Sequence, residues 1–548
     1  MSTDAPLLPD PAELPDDPVF LKRLVVQLFE LLRQRDQRLS KLEHHLDVLL
    51  KKVFGRTSEK FDPRQLALFD AQSDESQADA ATLAAANAAL ATNAAGDNAV
   101  TTNTDSRTPP ATPGHGRRRA PDTLKRVEVI HDLSDAQKTT LGGAENLQFL
   151  GDEITEQYEW EPSSLFVIVH VQKKYARRER LLVTNDNDPL QQNVIVAPKP
   201  PQPIPGGEAG PGLLAQVLVS KYGDHLPLFR LERIFGRHGV RFARQTTCDW
   251  CAACAELLKP LTDLIRQTVL ASRVLHTDDT PVKLRDAHAA DQCTARFWTY
   301  VGDEQHPLIF YDFTRSRERD GPARVLANYR GYLQADAFSA YDGLYLKSDG
   351  AIVEVACWAH ARRKFHESLP TDSARAAIAL THIRQLYAVE KQIRELLAGE
   401  WSTLLSADRF ARIAAHRQEH SRPLLAAFRT WLDDTAAVVL PKSPLAAAIR
   451  YALNQWEALG RYTEDGQLAI DNNAAERSLR GIAIGRKNWL FVGSERGGHT
   501  AATILTLITS AIRHHLDPFA YLRDVLRRLP TTEPANLTNL LPDRWRPE

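Results

Sequence analysis

RVLHTDDTPVKL, residues Arg273–Leu284, breaks a helical pattern that has run since Leu213 and reads as a β-strand. Two further strand patterns follow, RFWTYVG (residues 296–302) and PLIFYDFT (residues 307–314). A helix-like GPARVLANY comes next, then strand GYLQADAF, a second helix, and strand AIVEVACWAH, which ends at His360. The spacing predicts three strands, helix, strand, helix, strand.

That order is the order of a ribonuclease H-like α/β core. Its first part is expected over residues 271–369. Residues 370–460 form a helical stretch too long to connect two core elements, so they read as an inserted helical subdomain. The core then resumes over 461–515, with a C-terminal segment over 516–548. The class expected is multidomain, α+β/α.

Three acids stand out by position in this frame. Asp278 lies at the end of the first strand, Asp336 ends the fourth, and Glu476 lies on the helix after the last core strand. Strand C-termini and a neighbouring helix can converge in an open sheet. Three carboxylates there supply hard oxygen ligands suited to Mg²⁺ or Mn²⁺. Two such ions would support an in-line phosphoryl displacement. Each acid also has a plain structural reading: Asp336 as a helix cap, Glu476 as an i,i+4 partner of Arg480.

Glu476 opens a basic strip. From Arg477 to Thr500 the sequence holds Arg477, Arg480, Arg486, Lys487 and Arg496 against the single acid Glu495. A polyanion brought to metal-bound carboxylates needs such a strip for its phosphates. Trp489 either stacks on an unpaired base or packs in the core.

Upstream, Leu21, Val25, Leu28, Leu32, Leu39, Leu42, Leu46, Leu49 and Val53 fall on alternating three- and four-residue steps, broken at Arg35. This seam predicts a coiled coil within residues 1–60, and with it a homo-oligomer. Residues 61–120, rich in Ala, Asn and Thr, read as a flexible linker. Residues 121–197 look β-rich. Residues 198–270 are helical, with a helix, a glycine-containing turn and a second helix capped by Thr246 or Thr247. That resembles a helix-turn-helix, with Arg241, Arg244 and Gln245 placed to meet DNA.

Composition bounds the rest. Hydrophobic residues make up 43% of the 548 and charged residues 25%, a globular balance. Net charge is −1, so any nucleic-acid surface must come from local segregation of charge. Five cysteines exclude a disulfide scaffold. Cys248, Cys251 and Cys254 share one helical face and are expected to be buried. The acidic, proline-rich start is no signal peptide, and AATILTLITSAI (residues 501–512) is too short and hydroxyl-rich to span a bilayer. A soluble cytoplasmic protein with no membrane contact is expected.

LHTDDTPVKL, GYLQADAFSAYDGLY, VACWAHARRKFHE and DNNAAERSLRGIAIGRKNWLFVGSERGG together resemble the DDE transposases of the bacterial insertion sequence 66 family. KVFGRTSEK, GPGLLAQVLVSKYGDHLPLFRLERIF and DPFAYLRDVLRRLP extend the likeness over most of the chain outside the linker. The resemblance implies a transposase that binds double-stranded DNA at element ends, cuts the 3′ ends and joins them to target DNA. Its catalytic, metal-holding triad would be Asp278, Asp336 and Glu476, with Asp279 the rival of Asp278, because adjacent strand residues point to opposite faces. Cys357 and His360 match a Cys-x-x-His signature of several DDE groups and are expected to support the site. Smaller accessory proteins of the same element often accompany the family. One departure concerns residues 121–197, where the family usually carries zinc-binding Cys-x-x-Cys pairs and this chain has no cysteine. Structural zinc is therefore not expected. Two other readings remain open: a metal nuclease that cuts without joining, and a non-catalytic DNA-binding regulator descended from a transposase.

Overall fold

The computed structural model describes Phe29 and residues 120–161, 164–177, 193–285, 293–317, 320–336 and 339–547. The expected coiled coil and nearly all of the linker lie outside the described residues. From Ala120 onward the described chain belongs to one compact unit of mixed helix and sheet.

The first element group is a small sheet. β1 (Arg126–His131), α1 (Asp135–Thr140), β2 (Leu147–Glu161), β3 (Ser164–Arg177) and β4 (Val194–Val196) follow in order. β3 is central, antiparallel to β2 and parallel to β1, with β4 continuing the β1 edge. Val167 and Val169 point into the interior, whereas Ile130, Phe149 and Ile154 stay exposed.

Helices come next: α2 (Pro211–Leu218), running into a π-helical turn over Val219–Gly223, α3 (Leu228–Arg237) and α4 (Arg244–Leu270). The helix-turn-helix pair is thus present as helices, but α4 starts earlier than expected. Its N-cap is Ala243, and Thr247 lies one turn inside with its hydroxyl donating to the Arg244 carbonyl at 2.9 Å. The residue that ends the turn is set by Gly239 at φ 80°, which releases the chain from α3.

The large sheet contains β5 (Val274–Leu284), β6 (Cys293–Val301), β7 (Ile309–Thr314), β8 (Gly331–Gln334) and β9 (Ile352–Val355), with α5 (Asp320–Leu326) and α6 (Ser339–Lys347) between the later strands. Spatial order is β7-β6-β5-β8-β9. β6 is antiparallel to both neighbours, while β5, β8 and β9 run parallel. β8 pairs with β5 only from Val274 to His276, and then diverges. β10 (Phe491–Val492) takes up the far end of the same β5 edge, at Lys283 and Leu284. The gap between those two pairings is where the sheet opens.

α7 (Trp358–Ser368) leads into a helical layer of α8 (Ser373–Ala398), α9 (Ser406–Val438), α10 (Pro444–Asn454) and α11 (Trp456–Gly460). This layer has its own apolar cluster around Trp358, Phe365, Phe428 and Leu445, which reaches the sheet at Val274 and Val355. A buried ion pair staples it. Arg417 meets both oxygens of Glu390 at 2.7 and 2.8 Å and also donates to the Tyr462 and Leu468 carbonyls.

α12 (Asn473–Trp489), α13 (Glu495–Arg513) and α14 (Pro518–Arg528) return to the core. α13 covers the edge strand β7. The Ser510 and Thr506 hydroxyls accept the backbone N–H groups of Ile309 and Tyr311 at 3.1 and 3.0 Å. This explains the hydroxyls in AATILTLITSAI: they cap an edge whose N–H groups would otherwise be buried unpaired. No described helix is long and apolar enough to cross a membrane.

Candidate active site

Asp278 and Asp279 sit side by side on β5, opposite Thr299 and Trp298 of β6. The pleat sends them to different faces. Asp279 enters a clamp: Arg296 and Arg317 each reach one of its oxygens at 2.8 Å, and its side chain is only 2% exposed. Asp278 lies on the stretch of β5 just past its pairing with β8. Its Oδ1 accepts the Asp279 N–H at 2.8 Å.

Asp336 follows the end of β8 by two residues, and the Arg317 guanidinium lies 3.7 Å from its Oδ2. Glu476 comes from the first turn of α12, where the helix N-terminus favours a carboxylate. Burial, then the charge of Asp336, and then those of Asp279 and Glu476 push the Asp278 carboxyl up to about 7. The charges of Asp336, Asp279 and Glu476 are thus all felt at Asp278. Glu476 Oε1 is buried and has no hydrogen-bond partner.

α12 is fixed against the sheet at several points. Ser478 shares a hydrogen bond with Thr299 at 2.8 Å, and the Tyr311 hydroxyl donates to the Ser478 carbonyl at 2.7 Å. Arg486 donates to Thr280 and to the Pro281 carbonyl at 3.0 and 2.7 Å. Arg486 thus ties α12 to β5 rather than projecting freely. Arg477, Arg480 and Lys487 are exposed on the same helix. Arg241, Arg244 and Gln245 are exposed too, around the start of α4, where Arg244 pairs with Glu232 at 3.4 Å and Gln245 donates to Asp249 at 2.9 Å.

The residue that sequence reasoning passed over is Asn472. It is fully buried. Its Nδ2 donates to the Thr277 carbonyl at 2.8 Å, its Oδ1 meets His276 Nδ1 at 3.1 Å, and its N–H donates to Cys357 Sγ at 3.1 Å. Its own carbonyl accepts the Glu476 N–H at 3.2 Å. One amide joins β5, the start of α7 and the first turn of α12. Burial holds His276 down at about 4, so it meets Asn472 as a neutral ring. The signal was present as the amide pair in DNNAAE, but only the fold shows which amide is used.

Cys357 is the buried N-cap of α7, and burial pushes its thiol up to about 12. His360, one turn on, places Nε2 3.7 Å from Glu476 Oε1, and burial lowers its pKa against the pull of Glu476. Cys357, His360 and Glu476 offer ligand atoms within 4.8 Å of one another. Sequence reasoning counted two such ligands in CWAH; the fold adds a third. Of the cysteine trio on α4, Cys251 and Cys254 are buried, but Cys248 is exposed, contrary to expectation. Three residues per step drifts around a 3.6-residue helix, and Cys248 falls off the covered face.

Comparison with known proteins gives the lineage. The description "Transposase IS66 family" matches residues 206–500, which span every element from α2 to the start of α13. The chain belongs to the IS66 transposase family. "Transposase C of IS166 homeodomain" matches residues 41–129, and "IS66 C-terminal element" matches 506–542. Among curated relatives in the family, the uncharacterized protein y4hP of Sinorhizobium fredii (strain NBRC 101917 / NGR234) is 34% identical over 452 residues, covering 78% of this chain and 77% of the relative. The uncharacterized protein y4jD of the same organism is 31% identical over 439 residues, covering 78% of this chain and 81% of the relative.

Proposed function

We propose that this IS66-family chain is a DNA transposase that cuts the 3′ ends of its element and transfers them to target DNA at Asp278, Asp336 and Glu476. What supports the reading is the field at Asp278, where burial and then the charges of Asp336, Asp279 and Glu476 push the carboxyl up to about 7. Crowded carboxylates of this kind call for a cation. Glu476 Oε1, buried and without a hydrogen bond, with His360 Nε2 3.7 Å away, fits the same demand. The sheet order β7-β6-β5-β8-β9 with one antiparallel strand supports a ribonuclease H-like core.

Asp278, Asp336 and Glu476 would hold two Mg²⁺ or Mn²⁺ ions, which supply Lewis acidity for an in-line displacement at phosphorus. The chain does the rest. Asn472 fixes the first turn of α12 to β5 and so sets where Glu476 points. Arg296 and Arg317 occupy the two oxygens of Asp279, which favours Asp278 as the acid from β5. Arg477, Arg480 and Lys487 neutralise phosphates along the helix that carries Glu476. His360 and Cys357 close the wall behind Glu476.

The test uses purified full chain, labelled element-end DNA and Mg²⁺ or Mn²⁺. Cleavage with joining supports the reading, cleavage alone indicates a nuclease, and binding without cleavage indicates a regulator. Glu476→Gln keeps DNA affinity within about twofold while cleavage falls at least a hundredfold, the scale of losing a ligand from a metal-assisted step. Unchanged cleavage in that variant removes Glu476 from the mechanism.

A further inference from the structure

We propose that a cavity at the far end of α12 receives one unpaired base of the bound DNA, with the neighbouring phosphate held at its mouth by Lys221 and Arg496. This rests on the DNA reading above.

The cavity has a volume of about 430 Å³. That lies within the roughly 300–1,000 Å³ of pockets that enclose small ligands. Its walls come from five places: the π-helical turn after α2, the first turns of α4, β6 at Phe297, the second half of α12, and β10 with the start of α13. Tyr222, His225, Phe297, Trp489 and Phe491 give it an aromatic lining. Trp489 is half-buried and Phe491 is 40% exposed, so these rings are not fully covered by the protein.

Backbone strain gathers at the same place. His225 has φ 61° and Leu490 φ 65°, two of the four non-glycine residues with positive φ among those described. His225 lines the cavity, and Leu490 sits between the two lining residues Trp489 and Phe491. Such conformations persist only where surrounding structure enforces them. α12 is also bared here. A Cβ on Gly485 would lie 2.7 Å from Trp489 Nε1 and 3.1 Å from His225 Nδ1. Gly481 lies one turn before it, also against His225. The helix gives up two side chains so that an indole and an imidazole can flank it.

Charge identifies the occupant. Lys221 and Arg496 border the cavity, beside the N-terminus of the 19-residue helix α13. The one acid at the wall, Asp249, accepts from Gln245. An apolar peptide would find cations at the rim with nothing to neutralise. A nucleotide supplies a flat ring for the aromatic walls and a phosphate for the cations. Gly481 to Trp489 lie five to thirteen positions beyond Glu476 on one helix, roughly 8–20 Å along its axis. At about 3.4 Å per nucleotide of a strand, the captured base is roughly two to six nucleotides from the acids.

The experiment measures binding of the full chain to a 15-nucleotide oligo-dT strand and to a 30-base-pair duplex, by fluorescence anisotropy at one salt concentration. Trp489→Ala should weaken oligo-dT binding by about 5- to 150-fold, the range for losing one stacked base. Trp489→Phe should retain most of the affinity, and duplex binding should change less than twofold in either variant. Ala252→Trp, which fills the cavity from the α4 side, should reproduce the loss even if Trp489→Ala folds poorly. Wild-type oligo-dT affinity in both Trp489→Ala and Ala252→Trp overturns the base pocket. So does a loss shared equally by the duplex, which would leave the DNA reading intact. Failure of the wild-type chain to bind either DNA removes both.

Discussion

Asp278 keeps its proton into the neutral range because burial and three nearby acids oppose its charge. Its folded value, about 7, lies above the 3.8 of an ordinary aspartate. The folded state therefore binds a proton that the unfolded state has already released between those two values. Without metal, stability contributed at this site is highest below pH 4 and falls as pH rises to 7, by an amount of order 2–4 kcal/mol. Urea midpoints in EDTA at pH 5 and pH 8 should show that fall in the wild type, and Asp278→Asn should flatten it. Millimolar Mg²⁺ should reduce the fall as well. An unchanged difference between pH 5 and 8 in Asp278→Asn means the charge of Asp278 is not what the site opposes. Asn472→Ala should cost about 1–3 kcal/mol, because it strands the Thr277 carbonyl and the His276 ring in the interior. It should also slow cleavage more than it weakens DNA binding, since Glu476 hangs from the same turn. Equal loss of both would make Asn472 a fold residue alone. At this scale the placement of the acids was legible: Asp278 lies on a strand, Asp336 just past one and Glu476 in the first turn of a helix. Asn472 was not, because its partners lie 115 to 196 residues away.

Among the elements, β5 could be read from the change of period after Ser272, and the strands and helices that follow it keep the order the sequence suggests. The start of α4 was misplaced because the eye goes to threonine caps, whereas here a plain Ala243 precedes the first turn. The hydroxyls of α13 had no local meaning; they serve the edge of β7 across 195 and 201 residues of sequence. The staple between α8 and α9 was equally hidden. Glu390 and Arg417 are 7% and 4% exposed and make a two-point contact. Breaking one side of such a buried pair costs about 3–5 kcal/mol. Glu390→Gln retains shape and some hydrogen bonding, so thermal unfolding should show a loss near the lower end. Because Arg417 also holds the Tyr462 and Leu468 carbonyls, that loss should loosen the segment leading to Asp471 and α12. Hydrogen exchange over residues 460–472 should rise in Glu390→Gln, and unchanged exchange there would confine the pair to holding the helical layer.

At the scale of the whole molecule, a net charge of −1 gives no hint of a polyanion partner. The cations matter by placement: Arg477, Arg480 and Lys487 are exposed on the helix that begins with Glu476, and Lys221 and Arg496 lie at the far end of it. On the function proposed above, two DNA ends have to be held together, which one copy of a single site does not do. The leucine and valine seam from Leu21 to Val53, outside the described residues, is expected from its sequence spacing to pair copies. Deleting residues 1–56 removes all of that seam and leaves every described element from β1 onward in place. Sizing by light scattering should then show fewer copies per particle at micromolar concentration, with a circular dichroism spectrum that still reports a folded chain. Affinity for one isolated element end should change little, whereas joint capture of two ends should drop at least tenfold, because a linked second site acts at high effective concentration. An unaltered number of copies per particle in the deleted protein would mean that copies meet through another surface, and the exposed apolar residues of the small sheet, Ile130, Phe149 and Ile154, would be the place to mutate next.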